Sequence, residues 1–288
     1  MTAPAPATTT ATTTPTMATT TSSNDIGRTI RLGLLSGKLE IRAFFRNTTA
    51  VVFGLLFPAL LMVLFATIFN EPIEGTGVNV AQYMAAGIIA ISVATVAFSN
   101  LGIAVATERG EGRIKRLAGT PLPVGSYFIG KIVGVVVNTV LGVGILLAIA
   151  IPAYGLDLPA DGMRWAMFLV TVLLGLTSCT LLGIAMGTVP PNGRTAPGII
   201  TPPFLVLQFI SGTFLQFTTQ PGWLQAIADA FPLRWMALGM RSALLPDQFV
   251  REETGQTWQR PTVLIILAAW VVGGALLARW RFTWRDGE

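Results

Sequence analysis

The residues that could carry catalysis or bind a metal are few in this 288-residue chain. There is no histidine, and the one cysteine, Cys179, lies in an apolar run, which removes the commonest general base and metal ligand and rules out an intramolecular disulfide. Two carboxylate pairs remain, Glu71 with Glu74 and Asp157 with Asp161. Acid–base chemistry is one interpretation of such a pair, and solvated loop charge is the other. No catalytic residue and no metal site is predicted.

A second candidate for chemistry is a segment with the spacing of a phosphate-binding loop, G-x-x-x-x-G-K, at residues 125–131. Ile132 stands where a Ser or Thr must reach Mg²⁺, no strand precedes the segment, and its bulky residues would keep backbone amides from wrapping a phosphate. We therefore predict no nucleotide binding here. Lys131 is interpreted as a cation anchored at a membrane interface.

The densest group of charges runs from Glu108 to Arg116, between the uncharged segments Met84–Ala106 and Ile132–Ala153. Each segment exceeds the roughly 20 residues that a helix needs to cross a bilayer. The charges are therefore predicted to lie on a cytoplasmic hairpin. Its residues 108–117 favour a short helix, which Thr120-Pro121 would end, since the residue before a proline avoids helical geometry. An ordinary basic loop is the alternative.

Composition places the chain among membrane proteins, with 52% hydrophobic and 11% charged residues against about a quarter charged in soluble domains. Basic residues mostly flank apolar runs, so nucleic-acid binding is not expected despite a pI near 10. The prediction is an all-α integral membrane protein in one domain, residues 25–288, with six membrane-spanning helices. The predicted spans are Ala50–Phe69, Met84–Ala106, Ile132–Ala153, Trp165–Thr188, Gly198–Phe217 and Pro261–Ala278.

Four further segments have distinct patterns. Residues 1–24, rich in Thr, Ala and Pro, are predicted to be a disordered tail, and residues 25–46 an amphipathic helix in the headgroup plane. The fifth span contains Pro202-Pro203 and several polar residues, which predicts a broken helix covered by protein or water. Residues 218–260 suggest interfacial or re-entrant helices, with a structured extracellular cap as the alternative. Gly183 and Gly187 are expected to pack helices within one chain.

The distribution of basic residues predicts the orientation. With both termini in the cytoplasm, 14 of the 19 Lys and Arg residues lie on the inner side and 5 on the outer side. Cytoplasmic loops carry such an excess of positive charge.

The hairpin, from Glu108-Arg109 through Gly112-Arg113 and Arg116 to Pro123, then Gly130-Lys131, resembles the cytoplasmic hairpin of type-2 ATP-binding-cassette (ABC) exporter permeases. Arg113 replaces the small polar residue that usually follows the glycine. Residues 210–214 and 221–241 resemble the end of the fifth span and the re-entrant loop of that family. The resemblance covers about residues 26–285 and is greatest to daunorubicin-resistance permeases of actinobacteria.

The resemblance implies a permease in a bacterial plasma membrane that exports a lipophilic or amphiphilic small molecule and is not itself an enzyme. A second permease copy and two cytosolic ABC ATPase subunits are the implied partners, with ATP and Mg²⁺ bound by the ATPase and no cofactor on this chain. A lipid-linked saccharide is an alternative substrate, and a lipid-modifying enzyme or a receptor is an alternative function. The residues expected to contact the ATPase are Glu108, Arg109, Gly112, Arg113, Ile114, Leu117, Thr120, Pro121 and Leu122.

The substrate path is predicted to follow the first, second and fifth spans where two permease copies meet. Aromatic and uncharged polar side chains in these spans are the candidates, although most span aromatics contact lipid or a neighbouring helix. The candidates are Phe57, Phe65, Phe98, Asn100, Gln208, Ser211 and Phe214.

Overall fold

The computed structural model describes residues 23–120 and 122–281. The predicted disordered tail lies outside these residues except for Ser23 and Asn24, which begin the first helix. Pro121 of the hairpin and the last seven residues also lie outside them.

The described residues form ten α-helices, three short 3₁₀ helices and one hairpin of two-residue strands, β1 (Pro72–Ile73) and β2 (Val78–Asn79). The 3₁₀ helices are Phe217–Thr219, Asp247–Glu252 and Thr254–Gln256. The prediction of an essentially all-helical chain is confirmed. Helices α2 and α3 each contain a π-helical segment, Val52–Leu56 and Thr95–Asn100 respectively. The helices are α1 (Ser23–Arg46), α2 (48–68), α3 (Val80–Gly110), α4 (Arg113–Ala118), α5 (Val124–Tyr154), α6 (Gly162–Met186), α7 (Ala196–Ile210), α8 (Gly222–Asp229), α9 (Pro232–Leu244) and α10 (Arg260–Arg281).

Five of these helices, α2, α3, α5, α6 and α10, are long and apolar enough to cross a membrane. They correspond to five of the six predicted spans. Helix α7 has 15 residues, or about 22 Å at 1.5 Å per residue, which is less than a bilayer core of about 30 Å.

Helix α7 differs from the predicted fifth span in two ways. It runs through Pro202 and Pro203 without a break, and it ends at Ile210 instead of Phe217. The helix ends because Gly212 adopts a left-handed conformation, with φ of +69°. The prediction of a helix broken at the prolines is therefore wrong, and the irregular segment lies after the helix.

Helix α3 is the centre of the bundle. It packs against α2, α5, α6, α7 and α9. Of the residues in its most apolar 18-residue stretch, 72% are buried, compared with 22% in the corresponding stretch of α10. Gly183 of α6 allows the close approach of α3, because a Cβ there would lie 2.6 Å from the carbonyl oxygen of Ala97. The expectation that Gly183 packs helices within one chain is confirmed.

Every residue of α9 is buried, including Arg234 and Arg241, which are 1% and 0% exposed. Arg241 donates hydrogen bonds to the Glu253 carboxylate and, at 2.9 Å, to the carbonyl oxygen of Gly212. The Arg234 guanidinium lies 3.8 Å from the centre of the Phe217 ring. Helix α9 is therefore covered by the protein on all sides, and an interfacial or re-entrant position in a membrane stays a prediction. Helix α8 keeps exposed apolar side chains.

The buried pair of Arg241 and Glu253 predicts a strong effect on stability. Replacing one partner leaves an uncompensated buried charge, which costs about 3–5 kcal/mol. Glu253→Leu should lower the apparent melting temperature of the purified protein by several degrees at a fixed scan rate. Adding Arg241→Leu to this variant should recover part of the loss.

The control is Glu111→Leu, which removes a carboxylate from an exposed pair with Arg113. Exposed pairs contribute at most about 1 kcal/mol. Equal shifts for the two single variants would contradict the structural role of the buried pair.

Candidate functional site

The predicted hairpin is divided between two helices. Helix α3 extends to Gly110, so Glu108 and Arg109 lie on its last turn. The chain then reverses at Gly112, whose φ of +66° is readily available only to glycine, and α4 begins at Arg113. The prediction of one continuous helix over residues 108–117 is wrong, because the left-handed residue separates its two parts.

Lys131 lies at the centre of a buried cluster and is only 2% exposed. Its Nζ is 2.6 Å from Glu108 Oε1 and 2.8 Å from Glu40 Oε1. The Tyr127 hydroxyl donates to Glu108 Oε2 at 2.8 Å. We call these four residues the lysine cluster. It joins α1, the end of α3 and the start of α5, so the interpretation of Lys131 as an interfacial anchor is wrong.

The lysine cluster is held by charge-assisted hydrogen bonds, with Lys131 and Tyr127 buried and the Glu108 and Glu40 side chains 16% and 33% exposed. Two carboxylates share one ammonium, and burial of such groups is tolerated when their hydrogen bonds are satisfied. The sequence analysis did not identify Glu40. A signal was present, because Glu40 is the one acidic residue between Ile26 and Arg46. The phosphate-loop spacing of residues 125–131 lies within α5, and helical geometry is incompatible with a phosphate-wrapping loop.

The other predicted ATPase contacts have different environments. Arg109 Nη1 donates to the carbonyl oxygen of Thr188 at 2.8 Å, beyond the end of α6. Ile114 is 5% exposed and packs inward, which leaves it unavailable to a partner. Leu117 and Leu122 are partly buried, Thr120 is exposed, and Pro121 lies outside the described residues.

Three basic side chains of α4 are exposed and accessible to a partner. We call this surface the basic face, and it consists of Arg113, Lys115 and Arg116. Arg113 is also paired with Glu111 at 2.7 Å, with both side chains about half exposed. Lys115 and Arg116 were not among the predicted contacts.

A cavity of about 660 Å³ extends from the lysine cluster along α2, α3, α5 and α7. Four predicted substrate-path residues line it: Phe57, Asn100, Gln208 and Phe214. Phe204 and Asn138 line it as well, and neither was among the candidates.

The remaining path candidates pack beside the cavity. Phe65 lies against Phe214, with ring centres 5.3 Å apart, and Phe98 lies against Phe204 at 5.4 Å. Ser211 is fully buried and donates to the carbonyl oxygen of Leu207 at 2.5 Å. These three residues pack behind the cavity wall and do not line the cavity themselves.

Charge in the cavity is confined to one end. The ionisable side chains that line it are Glu40, Glu108, Arg113 and Lys131, all in or beside the lysine cluster and α4. Within the described residues, no group of three His, Cys, Asp or Glu side chains could hold a metal ion. The arrangement suits binding of a mainly apolar molecule, with the charged side chains at one end of the cavity.

The apolar helices define a multi-pass membrane protein. Residues 34–245 match the ABC-2 type transporter family, and the chain belongs to this family. It is therefore the membrane permease of an ABC transporter, and membership implies association with an ABC ATPase subunit. The resemblance of the hairpin to type-2 ABC permeases is confirmed.

Three similar proteins are named as transport permeases. YvfS of Bacillus subtilis strain 168 is 24% identical over 193 residues, 67% of this chain and 77% of YvfS. The inner membrane transport permease YadH of Escherichia coli strain K12 is 24% identical over 197 residues, 65% of this chain and 74% of YadH. The permease ycf38 of Porphyra purpurea is 27% identical over 199 residues, 68% of each chain.

The lysine cluster predicts how α1 is held against the bundle. Lys131→Met should leave Glu40 and Glu108 without their cation, so α1 should detach more often. Cleavage by trypsin after the exposed residues Lys38 and Arg42 should then become at least about tenfold faster, since proteolysis follows local opening. The measurement is the rate of fragment appearance by mass spectrometry.

The matched control is Lys115→Met on the basic face, which also removes one lysine charge. It should leave cleavage at Lys38 and Arg42 unchanged. A Lys131→Met protein with wild-type cleavage rates would show that the cluster does not hold α1.

Proposed function

We propose that this permease is the membrane subunit of an exporter that moves a lipophilic or amphiphilic small molecule outward, as implied by its resemblance to daunorubicin-resistance permeases. The observation that carries the proposal is the cavity, whose wall includes Glu108 and Lys131 at one end and Phe57 and Phe214 further along. A movement of the hairpin can therefore change the shape of the apolar cavity directly.

The energy source in this proposal is a pair of cytosolic ATPase subunits that bind ATP and Mg²⁺. The basic face of α4 docks on the ATPase, which brings complementary acidic groups. Closure of the ATPases pushes α4, and the adjoining ends of α3 and α5 move with it because Lys131 ties them together at 2.6 Å. Arg109 and Ile114 position the hairpin through Thr188 and through inward packing.

The assembly in this proposal contains two permease copies, identical or closely related, in a bacterial plasma membrane with both termini in the cytoplasm. The excess of basic residues on the hairpin side supports that orientation. The exposed apolar surface of α2 is suited to contact with a second permease copy or with lipid, because Phe53, Leu60 and Leu64 are 56%, 63% and 48% exposed.

Two other functions are less well supported by the geometry. A lipid-linked saccharide would require many polar contacts, whereas the cavity wall is mainly apolar. For a lipid-modifying enzyme, the candidate catalysts are Asp157 and Asp161. Neither lines the cavity, and Asp161 Oδ1 accepts a hydrogen bond from the Arg164 backbone at the start of α6. The two carboxylates that do line the cavity, Glu40 and Glu108, are paired with Lys131.

The docking role of the basic face predicts the effect of charge reversal. Arg113→Glu combined with Arg116→Glu should reduce ATP-dependent accumulation of daunorubicin in inside-out vesicles at least about tenfold, because like charges would then oppose each other at the ATPase. ATP hydrolysis by the ATPase that co-purifies with the permease should fall by the same factor. Both residues are exposed, so insertion and thermal stability should be retained.

The matched control reverses Arg279 and Arg281, two exposed basic residues at the end of α10. It changes net charge equally on the same predicted side and should leave accumulation unchanged. Full accumulation by the Arg113 and Arg116 variant would contradict docking through α4. Arg109 is a poor choice for this test because its replacement also removes the bond to Thr188.

The exporter and the lipid-modifying enzyme make opposite predictions for the carboxylates of Asp157 and Asp161. For the exporter, Asp157→Asn combined with Asp161→Asn should leave daunorubicin accumulation within about twofold of wild type, since Asn also caps helices. Loss of function in this variant, with its expression and melting temperature unchanged, would favour carboxylate catalysis over transport.

A further inference from the structure

Three side-chain amides line the cavity, and two of them have a buried polar atom without a hydrogen-bond partner within the described part of the chain. Asn138 of α5 is 5% exposed and Gln208 of α7 is 9% exposed, and both line the cavity. Asn100, in the π-helical segment of α3, lines it too. Asn138 Oδ1 and Asn100 Nδ2 are both buried and unpaired. We call these three residues the amide cluster.

Helix packing places Asn138 and Gln208 beside the π-helical segment of α3, whose last residue is Asn100. Helix α3 runs antiparallel to α5, because Ser92 lies against Gly142 and Glu108 against Lys131. It runs antiparallel to α7, because Gly102 lies against Ile200 and Phe98 against Phe204. These contacts bring Asn138 opposite the π-helical segment Thr95–Asn100 and Gln208 near its first turn. Four residues of that segment line the cavity: Thr95, Val96, Ser99 and Asn100.

Unpaired amides in an apolar wall are unusual, since buried polar groups nearly always have a partner. Each amide has a carbonyl oxygen that accepts and an NH₂ group that donates. A molecule that satisfies these groups gains affinity, whereas a hydrocarbon of the same shape leaves them unpaired. The surroundings of the amide cluster include the Phe57, Phe204 and Phe214 side chains, which suit an apolar remainder.

The charge distribution limits what the ligand can carry at this depth. The ionisable side chains of the cavity wall are all at the end that contains Lys131. A charged ligand group beside the amide cluster would therefore be desolvated without a counter-ion, which is costly. An uncharged group has no such penalty.

We propose that the amide cluster is a recognition site for an uncharged group that both donates and accepts hydrogen bonds, such as an amide or hydroxyl, within an otherwise apolar ligand. Asn138 is its central residue. The inference rests on the proposed export function for its biological meaning, but binding at the site needs neither ATP nor the ATPase. Ligands with a fixed charge at the same position are discriminated against.

The test uses three pyrene-labelled alkyl chains of equal length that differ at one mid-chain group: a secondary amide, an alkane segment or a protonated secondary amine. Binding is measured to the permease alone in lipid nanodiscs, and protein-free nanodiscs of the same lipid correct for partitioning. The amide probe should bind at least about tenfold more tightly than the alkane, the effect of one or two hydrogen bonds. The amine should bind more weakly than the amide.

Asn138→Leu should abolish the preference for the amide over the alkane, and Asn138→Asp should shift preference towards the amine. The matched control is Thr139→Val, which removes the neighbouring buried and unpaired hydroxyl outside the cavity lining. It should leave the preference unchanged. If Asn138→Leu fails to give a monodisperse protein, Gln208→Leu carries the same expectation.

Equal binding of the amide and alkane by the wild type, tighter binding of the amine, or an unchanged preference in Asn138→Leu would each overturn the inference. So would failure of all three probes to bind. Failure of export is recognised separately, because charge reversal on the basic face tests it in vesicles. Selective binding of the amide probe without ATP-driven accumulation of daunorubicin would support the amide cluster as a binding site and would contradict the proposed export function.

Discussion

The contact between Lys131 and its two carboxylates joins the parts of the molecule on which the proposed mechanism depends. The amphipathic helix contributes Glu40, the end of α3 contributes Glu108, and the start of α5 contributes Lys131. Because α4 lies between the last two, the hairpin is connected at both ends to one buried cluster. In the proposed mechanism, a force on α4 is transmitted to the membrane helices through these ion pairs, in addition to the short connecting segments.

A second buried ion cluster secures the other end of α3. Tyr83 donates to the carbonyl oxygen of Gly212 at 2.7 Å, and Arg241, which is paired with Glu253, donates to the same carbonyl group. The irregular segment after α7 is thus held from two helices. Between Tyr83 and Glu108, α3 has no charged residue. This separation is the favourable arrangement in a membrane, where charge is costly at mid-depth and easily paired near the ends.

The cavity follows from this arrangement because α7 is short and α2 packs loosely. Only 28% of the residues in the most apolar stretch of α2 are buried, and the cavity lies between α2 and α3. The side of α3 that lines the cavity includes the π-helical segment, a distortion that is frequent at functional sites. Uncharged amides are the most polar groups there, which is consistent with a cavity that admits amphiphilic molecules without binding ions tightly.

The amino-acid sequence by itself determined the class of the protein, five of its membrane helices and the position of the hairpin. These features depend on local composition, because an uncharged run of over 20 residues has few alternatives to a membrane helix. Motif spacing was also sufficient for the family. The early end of α7 was missed although a local signal was present, because a glycine such as Gly212 commonly ends a helix in a left-handed conformation. Only the tertiary structure shows that Tyr83 and Arg241 bind its carbonyl group.

Only the tertiary structure decided which charged residues are buried and which amides meet in the cavity. Glu40 and Lys131 are 91 positions apart in the sequence, and nothing local distinguishes Lys131 from an interfacial lysine. Arg241 likewise had the pattern of an exposed residue on an amphipathic helix. The side chains of Asn100, Asn138 and Gln208 come from three helices. Such pairings depend on how the helices pack, because burial of a polar group is tolerated only when a hydrogen-bonding or oppositely charged partner is buried beside it.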